Sequence, residues 1–204
     1  MNFLKKIFGA KPDHSASQNH QYIVITLNDR IQPFDRGEYY EDPLDEFLKT
    51  NYLGEISGGG TMQDADGEIE FVDIEVELAL DVDTNIAVQK IMNFLKTKKI
   101  PKNSKITIET TNEVIEFGDN EGLAIYLDGV NLEPEVYQNS DSNFVVSEIK
   151  RLIDDKDETV RFWEFPEKTA LYFYGDSFVE MNKLIEPFVS TYPLCKNAVI
   201  KQIS

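Results

Sequence analysis

Two spacings of hydrophobic residues alternate along this chain. Residues 22–27 (YIVITL) are β-branched and aromatic, which is typical of a strand. The segment EDPLDEFLKTNY follows, where Asp42 is expected to cap a helix and Pro43 to take its first position. The apolar residues of this helix recur at helical spacing on one face: Leu44, Phe47 and Leu48.

The next segments complete a recognisable order of elements. The runs EISGGGTMQ and EIEFVDIEVELAL flank the turn DADG and predict an antiparallel pair. The segment TNIAVQKIMNFLKTKK predicts a second helix, which ends before Pro101. KITIET then returns to a strand pattern. Residues 22–110 therefore predict strand, helix, strand, strand, helix, strand, which is the ferredoxin-like order.

After an extra strand at EVIEF, the same six elements recur. They are LAIYLDG, SNFVVSEIKRLI, VRFWEF, ALYFYG, DSFVEMNKLIEPFV and NAVIKQI. We therefore predict an α+β fold of antiparallel sheets with helices on one face, built as two ferredoxin-like (βαββαβ) units in tandem. The predicted units are residues 21–118 and 119–204, after a flexible N-terminal tail of residues 1–20. Pro187 is expected to kink or shorten the last helix.

The net charge of the chain limits the kinds of molecule that it is expected to bind. The 204 residues hold 37 acidic and 20 basic side chains, a net charge of −17. The first twenty residues carry a balance of +2, which leaves −19 on residues 21–204. Such a body repels nucleic acid and anionic lipid and favours a basic protein partner. Acidic charge also has a plainer explanation, which is solubility.

Composition argues against common catalytic and cofactor chemistry. Both histidines lie in the first twenty residues, so the body lacks the commonest general base and the commonest transition-metal ligand. No G-x-S-x-G occurs. A single cysteine, Cys195, excludes an internal disulfide and fits a reducing cytoplasm. The start MNFLKKIFGAKP is amphipathic but too short for stable membrane insertion. We therefore predict a non-enzymatic protein without a cofactor or metal.

The most unusual string surrounds three glycines. Gly58, Gly59 and Gly60 lead into a strand rather than a helix, so they do not form a phosphate loop. They indicate either a bulge or a close approach by a partner. On the next strand, three carboxylates share one face: Asp73, Glu75 and Glu77. Ile69 and Phe71 are predicted on the same face. This face is either a solvated surface or an acidic docking surface; a metal site would need further oxygen ligands.

A second candidate is the segment QPFDRGEYYEDP, interpreted as a loop. Its aromatic and acidic residues suit a basic target, because rings supply apolar contact and carboxylates supply steering. Arg36 is expected to pair with a neighbouring acid. The candidate partner-binding residues here are Phe34, Asp35, Tyr39, Tyr40, Glu41 and Asp42.

Three separated strings carry a family resemblance: LNDRIQPFDRGEYYEDPLDEFL, GEISGGGTMQDADGEIEFVDIEVEL and YPLCKNAVIKQI. Together they resemble an uncharacterised bacterial protein family, and similar small acidic proteins occur among toxin-immunity proteins. The resemblance implies an immunity-type protein that neutralises a bacterial toxin domain by direct binding. The alternative is a regulatory or small-molecule-binding module with a ligand cleft between the two units. An enzyme using Mg²⁺ on Asp73 and Glu75 is a third reading.

Overall fold

A computed structural model describes residues 20–204, so the predictions for residues 1–19 lie outside the described part. The first unit begins with a strand and a helical stretch and then continues as predicted. Its elements are β1 (Gln21–Leu27), α1 (Pro33–Arg36), a π-helical turn (Gly37–Glu41), α2 (Asp42–Thr50), β2 (Gly54–Gln63), β3 (Ile69–Leu78), α3 (Thr84–Leu95), β4 (Ser104–Ile108) and β5 (Glu113–Phe117).

The second unit repeats this order. Its elements are β6 (Glu121–Asp128), α4 (Pro134–Asn139), α5 (Ser142–Leu152), β7 (Arg161–Glu164), β8 (Lys168–Gly175), α6 (Phe178–Val189), a 3₁₀ turn (Pro193–Cys195) and β9 (Val199–Gln202). The sheets run β2-β3-β1-β4-β5 and β7-β8-β6-β9, and all pairs within them are antiparallel. The predicted α+β fold of two ferredoxin-like units is confirmed.

Each sheet buries its helix-facing side. In β3 the alternation predicted from sequence places Val72, Ile74 and Val76 in the first core. Helix α3 packs its apolar stripe against them, and the Asp83 carboxylate caps that helix by accepting the Ile86 N–H. In the second unit, burial of the Cys195 thiol raises its pKa to about 11, as expected for a structural cysteine.

The segment before α2 is helical, so the prediction of a loop over residues 32–43 was wrong. Gly37 and Pro43 disfavour a regular α-helix through this segment, but the chain widens into a π-helical turn over Gly37–Glu41. The Asp42 N–H donates to the Gly37 carbonyl, five residues back. A wider turn reduces the clash that a proline ring makes with the preceding turn, and Pro43 has no N–H to leave unbonded.

One strand detail also differs from expectation. Ile69 lies in the core and not on the acidic face, because the pairing of β2 with β3 shifts by one residue between Met62 and Gln63. A bulge of this kind reverses the alternation of side chains, which no spacing along one strand reveals. Pro187 lies in the last turn of α6, which ends two residues later at Val189.

The outer face of the second sheet packs on the first unit. Ala124, Ala170 and Tyr172 form a separate buried cluster at this junction, and Trp163 contacts both that cluster and the first core. The linker after β5 is hydrogen-bonded to the first unit, because the Lys102 N–H donates to the Asn120 carbonyl at 2.7 Å. No described helix is long and apolar enough to cross a bilayer.

Candidate functional site

The open face of the first sheet carries the predicted acidic row. Asp73, Glu75 and Glu77 lie on β3 opposite the core residues, as the alternation predicted. In the register, β1 places Thr26, Val24 and Tyr22 beside them in the same order. Successive carboxylates along one face are about 6.8 Å apart at the backbone. The row is therefore a continuous acidic stripe on a sheet face that the helices do not cover.

Two of these carboxylates are held by neighbours. The Tyr22 hydroxyl donates to Oε2 of Glu77 at 3.1 Å, and this bond raises the pKa of Tyr22 above its usual value. His20 also pairs with Glu77. The Ser57 hydroxyl donates to Oε1 of Glu75 at 2.7 Å. The row is therefore partly ordered by bonds within the chain itself.

Asp73 differs from the other two. Its Oδ1 atom is buried, and no donor within residues 20–204 reaches it. A buried carboxylate oxygen without a donor is unfavourable, so Asp73 lowers the stability of the chain in this arrangement.

The three glycines form part of the same surface. A bulge at Ser57 places Gly58 opposite Glu75 and Gly60 opposite Asp73, so the predicted bulge is confirmed. Gly59 lies on the opposite face, where an added Cβ would approach Oε1 of Glu41 to 2.6 Å and the Asp73 carbonyl oxygen to 3.0 Å. Only a glycine allows this close packing. A partner contact by these glycines stays a prediction.

The aromatic and acidic residues of the helical segment separate in space. Phe34 is 85% exposed, whereas Tyr40 is fully buried and does not belong to a surface. Arg36 Nε donates to Oε1 of Glu41 at 2.7 Å, which confirms the expected local ion pair. Asp42 is exposed as the first residue of α2, and no side-chain hydrogen bond caps that helix, so the predicted Asp42 cap was wrong. The predicted residues therefore form no single site.

A buried polar network joins the two units, and sequence reasoning missed it. The Asp29 carboxylate is fully buried and accepts bonds from Arg161 Nε at 2.8 and 3.0 Å and from the Tyr40 hydroxyl at 2.7 Å. Arg161 also donates to Asp157 at 2.9 Å. The signal was an arginine placed among hydrophobic residues in VRFWEF and an aspartate two residues after the end of β1.

A second bridge lies at the end of the β2–β3 hairpin. The hydroxyls of Tyr126 and Tyr172 donate to Oε1 of Glu68 at 2.8 and 3.0 Å, and Arg30 Nη1 lies 3.2 Å from the same atom. Burial and this carboxylate raise the pKa of both tyrosines. Paired charges and bonded hydroxyls at this depth indicate a fixed junction.

Beside the Asp29–Arg161 network lies a cleft of about 540 Å³ between the two units. Burial raises the pKa of the Tyr39 hydroxyl there to about 12, and the Lys98 ammonium lies 4.5 Å from the centre of its ring. Four carboxylates and one lysine line the wall, so the cleft suits an amine better than an anion. Its lining residues are Asp35, Glu38, Tyr39, Lys98, Asp157, Glu158, Thr159, Val160 and Phe162.

Within residues 20–204, no group of three or more histidine, cysteine, aspartate or glutamate side chains is arranged to hold a metal ion. The acidic row on β3 is therefore extended rather than convergent.

Comparisons with known proteins do not assign this chain to a family. No family model and no curated protein matches the chain. The crystal structure of an unknown protein from Galdieria sulphuraria is similar over 90% of this chain and 97% of its own, at 12% identity and a TM-score of 0.26. The first two RRM domains of yeast poly(U) binding protein (Pub1) match over 89% and 99%, at 11% identity and a TM-score of 0.23. At these TM-scores neither likeness bears on function.

Proposed function

We propose that this chain is a non-enzymatic binding protein of the immunity type, which neutralises a basic toxin domain by direct contact. The observation that carries the proposal is the acidic row of Asp73, Glu75 and Glu77 on an uncovered sheet face. A net charge of −17 adds long-range attraction for a basic partner and repels nucleic acid.

The row also fits the energetics of protein recognition. Glu75 and Glu77 are already oriented by Ser57 and Tyr22, so less side-chain freedom is lost when a partner binds. Charged residues at such a surface mainly raise the association rate and make it depend on salt. A partner that carries lysine or arginine around its active site would be blocked once it docks here.

The test begins with capture of partners by the full chain from its own host at low salt. For each captured basic protein, association is compared for the chain itself, for D73N/E75Q/E77Q, and for the control E135Q/E167Q/E186Q, which loses the same charge from exposed positions elsewhere. We expect the first variant to lower the association rate at least about tenfold and to flatten its salt dependence. We also expect it to stop protecting cells from that protein. Equal behaviour of the two variants would refute the proposed surface.

A second candidate function is supported by the cleft between the units. Its volume of about 540 Å³ is within the usual range for small-ligand sites, and its carboxylates suit a small amine. This would make the chain a regulatory or ligand-binding module. Spermidine and other amines can be screened by thermal shift, since a ligand of the native state raises Tm with its concentration. D35N/E38Q should abolish the shift; a shift that survives this variant places the amine elsewhere.

A further inference from the structure

Strand β2 is the outermost strand of the first sheet, and within residues 20–204 no strand pairs with its outer edge. We propose that this edge is a strand-addition site for an extended segment of the partner protein that is rich in lysine or arginine. The inference rests on the proposed function and names its mode of binding.

The register shows which backbone groups face outward. The Ile56 N–H donates to Oδ1 of Asp45 at 3.0 Å, so Ile56 turns away from β3. In an antiparallel pair, two opposite residues either bond to each other or both direct their N–H and C=O groups away from each other. These two kinds of pair alternate along the strands. Ile56 is paired with Val76, and Ile74 and Val72 lie two and four residues from Val76 along β3, so all three form the same kind of pair with β2. Their partners Gly59 and Thr61 therefore also present their backbone N–H and C=O groups to the outside.

Within residues 20–204, a side chain bonds to an outward backbone group only in the first part of this edge; farther along, the Arg36–Glu41 pair lies on the core-facing side of Gly59 and Thr61. Asp45 of α2 occupies the edge at Ile56, and Lys49 lies 3.8 Å from Glu55. Beyond the bulge, residues 58–62 (GGGTM) hold neither a charge nor a proline. A charged side chain or a proline normally blocks a natural edge strand, because an unprotected edge can pair with another strand. The glycines also remove the side chains that would keep a second backbone away.

The surroundings of the edge select a basic partner. Gly58 and Gly60 lie opposite Glu75 and Asp73 on the open face and place no side chain between those carboxylates and the edge. An added strand would lie about 4.8 Å from β2, and its long basic side chains could reach across the glycines. A second copy of this chain is disfavoured, because each copy carries a net charge of −17.

Amide hydrogen exchange on the full chain tests the proposal. The probe is a synthetic ten-residue peptide of alternating lysine and valine with blocked ends. The control peptide has the same sequence but is N-methylated at alternate residues, which keeps the charge and removes ladder donors. At saturating unmethylated peptide we expect exchange at Gly59 and Thr61 to slow about tenfold. Gly58 and Gly60 already bond to β3 and should not change.

A pair of variants tests the same edge from the protein side. Thr61→Pro removes the outward N–H, whereas Thr61→Val keeps it and loses only the hydroxyl that accepts from Arg36 at 3.0 Å. We expect Thr61→Pro to reduce affinity for the unmethylated peptide to that for the methylated one, and Thr61→Val to leave it unchanged. If Thr61→Pro does not fold, the two peptides still decide the question on the unaltered chain.

Three results would overturn strand addition. If both peptides bind equally and exchange at Gly59 and Thr61 is unchanged, basic segments bind elsewhere and the proposed function stands without this mode. If neither peptide binds at low salt, the edge does not accept an extended basic segment, and the proposed function is then decided by the charge variants alone. If Gly59 and Thr61 exchange slowly in the isolated chain, the edge is already occupied, and sedimentation then separates a second copy from residues 1–19 of the same chain.

Discussion

Replacing Arg161 by leucine should lower the free energy of unfolding more than a substitution at any exposed position. Asp29 is fully buried and accepts two of its three hydrogen bonds from Arg161 Nε, at 2.8 and 3.0 Å. Without the guanidinium, that carboxylate keeps only the Tyr40 hydroxyl at 2.7 Å. An unpaired buried charge costs about 3–5 kcal/mol. This is a large part of the roughly 5–15 kcal/mol by which folded domains are stable.

A double-mutant cycle separates the ion pair from the loss of packing. Asp29→Asn and Arg161→Leu each remove one charge, and the double variant removes both. The double variant leaves no charge at position 29, although Asp157 still loses its bond to Arg161 as it does in the single Arg161→Leu variant. We therefore expect the destabilisation of the double variant to be smaller than the sum of the single effects by about 1–3 kcal/mol. The control is Arg151→Leu, whose ion pair with Glu148 is on the surface, and which should change stability by less than about 1 kcal/mol.

Urea unfolding measured by tryptophan fluorescence is the assay. The chain has one tryptophan, Trp163, and it contacts both the first core and the junction cluster. Its emission therefore reports the state of the junction. A loss below about 1 kcal/mol for Arg161→Leu, or additive effects in the cycle, would refute the conclusion that this pair holds the units together.

Three further predictions concern single positions. Gly59→Ala should destabilise the protein by about 1–3 kcal/mol, because the added Cβ would lie 3.0 Å from the Asp73 carbonyl oxygen. Gly60→Ala should be neutral or slightly stabilising, because its Cβ would meet open space. Thermal denaturation compares the two variants. Gly118→Ala should lower Tm more than either, since Gly118 has φ +95° and its Cβ would lie 2.1 Å from the Pro101 carbonyl oxygen. Burial raises the pKa of Tyr39 from 10.0 to about 12, so the contribution of this hydroxyl is complete below pH 10 and is lost as pH rises through 12. Tyr39→Phe should reduce the alkaline loss measured by denaturant titration at each pH, and an unchanged loss would contradict this reasoning.

The sequence was sufficient for the fold because its signals are local. Alternating and helical spacings located both units, and the alternation along β3 placed Asp73, Glu75 and Glu77 on one face. The helical segment before α2 was missed because Gly37 and Pro43 stop a regular α-helix but are compatible with a wider turn. Ile69 was misplaced because a bulge belongs to a pair of strands rather than to either strand alone.

The junction and the open edge depend on contacts between distant residues. Asp29 and Arg161 lie 132 positions apart, and nothing in the spacing around either residue names the other. Likewise, the outward N–H groups of Gly59 and Thr61 follow only from the observed register with β3. The candidate residues could therefore be found in the sequence, but their division between an open face, a cleft and a core could not.

The pairing of Asp29 with Arg161 also affects how the chain is made. During synthesis the amino-terminal half emerges first, and domains generally begin to fold in that order. Here the first unit must hold a carboxylate without its guanidinium until residue 161 leaves the ribosome. Although the two units repeat one topology, we expect the first to remain loosely packed at its junction side until the second half has been translated. A change that slows translation before residue 161 would lengthen the time for which that surface is exposed to proteases and to aggregation.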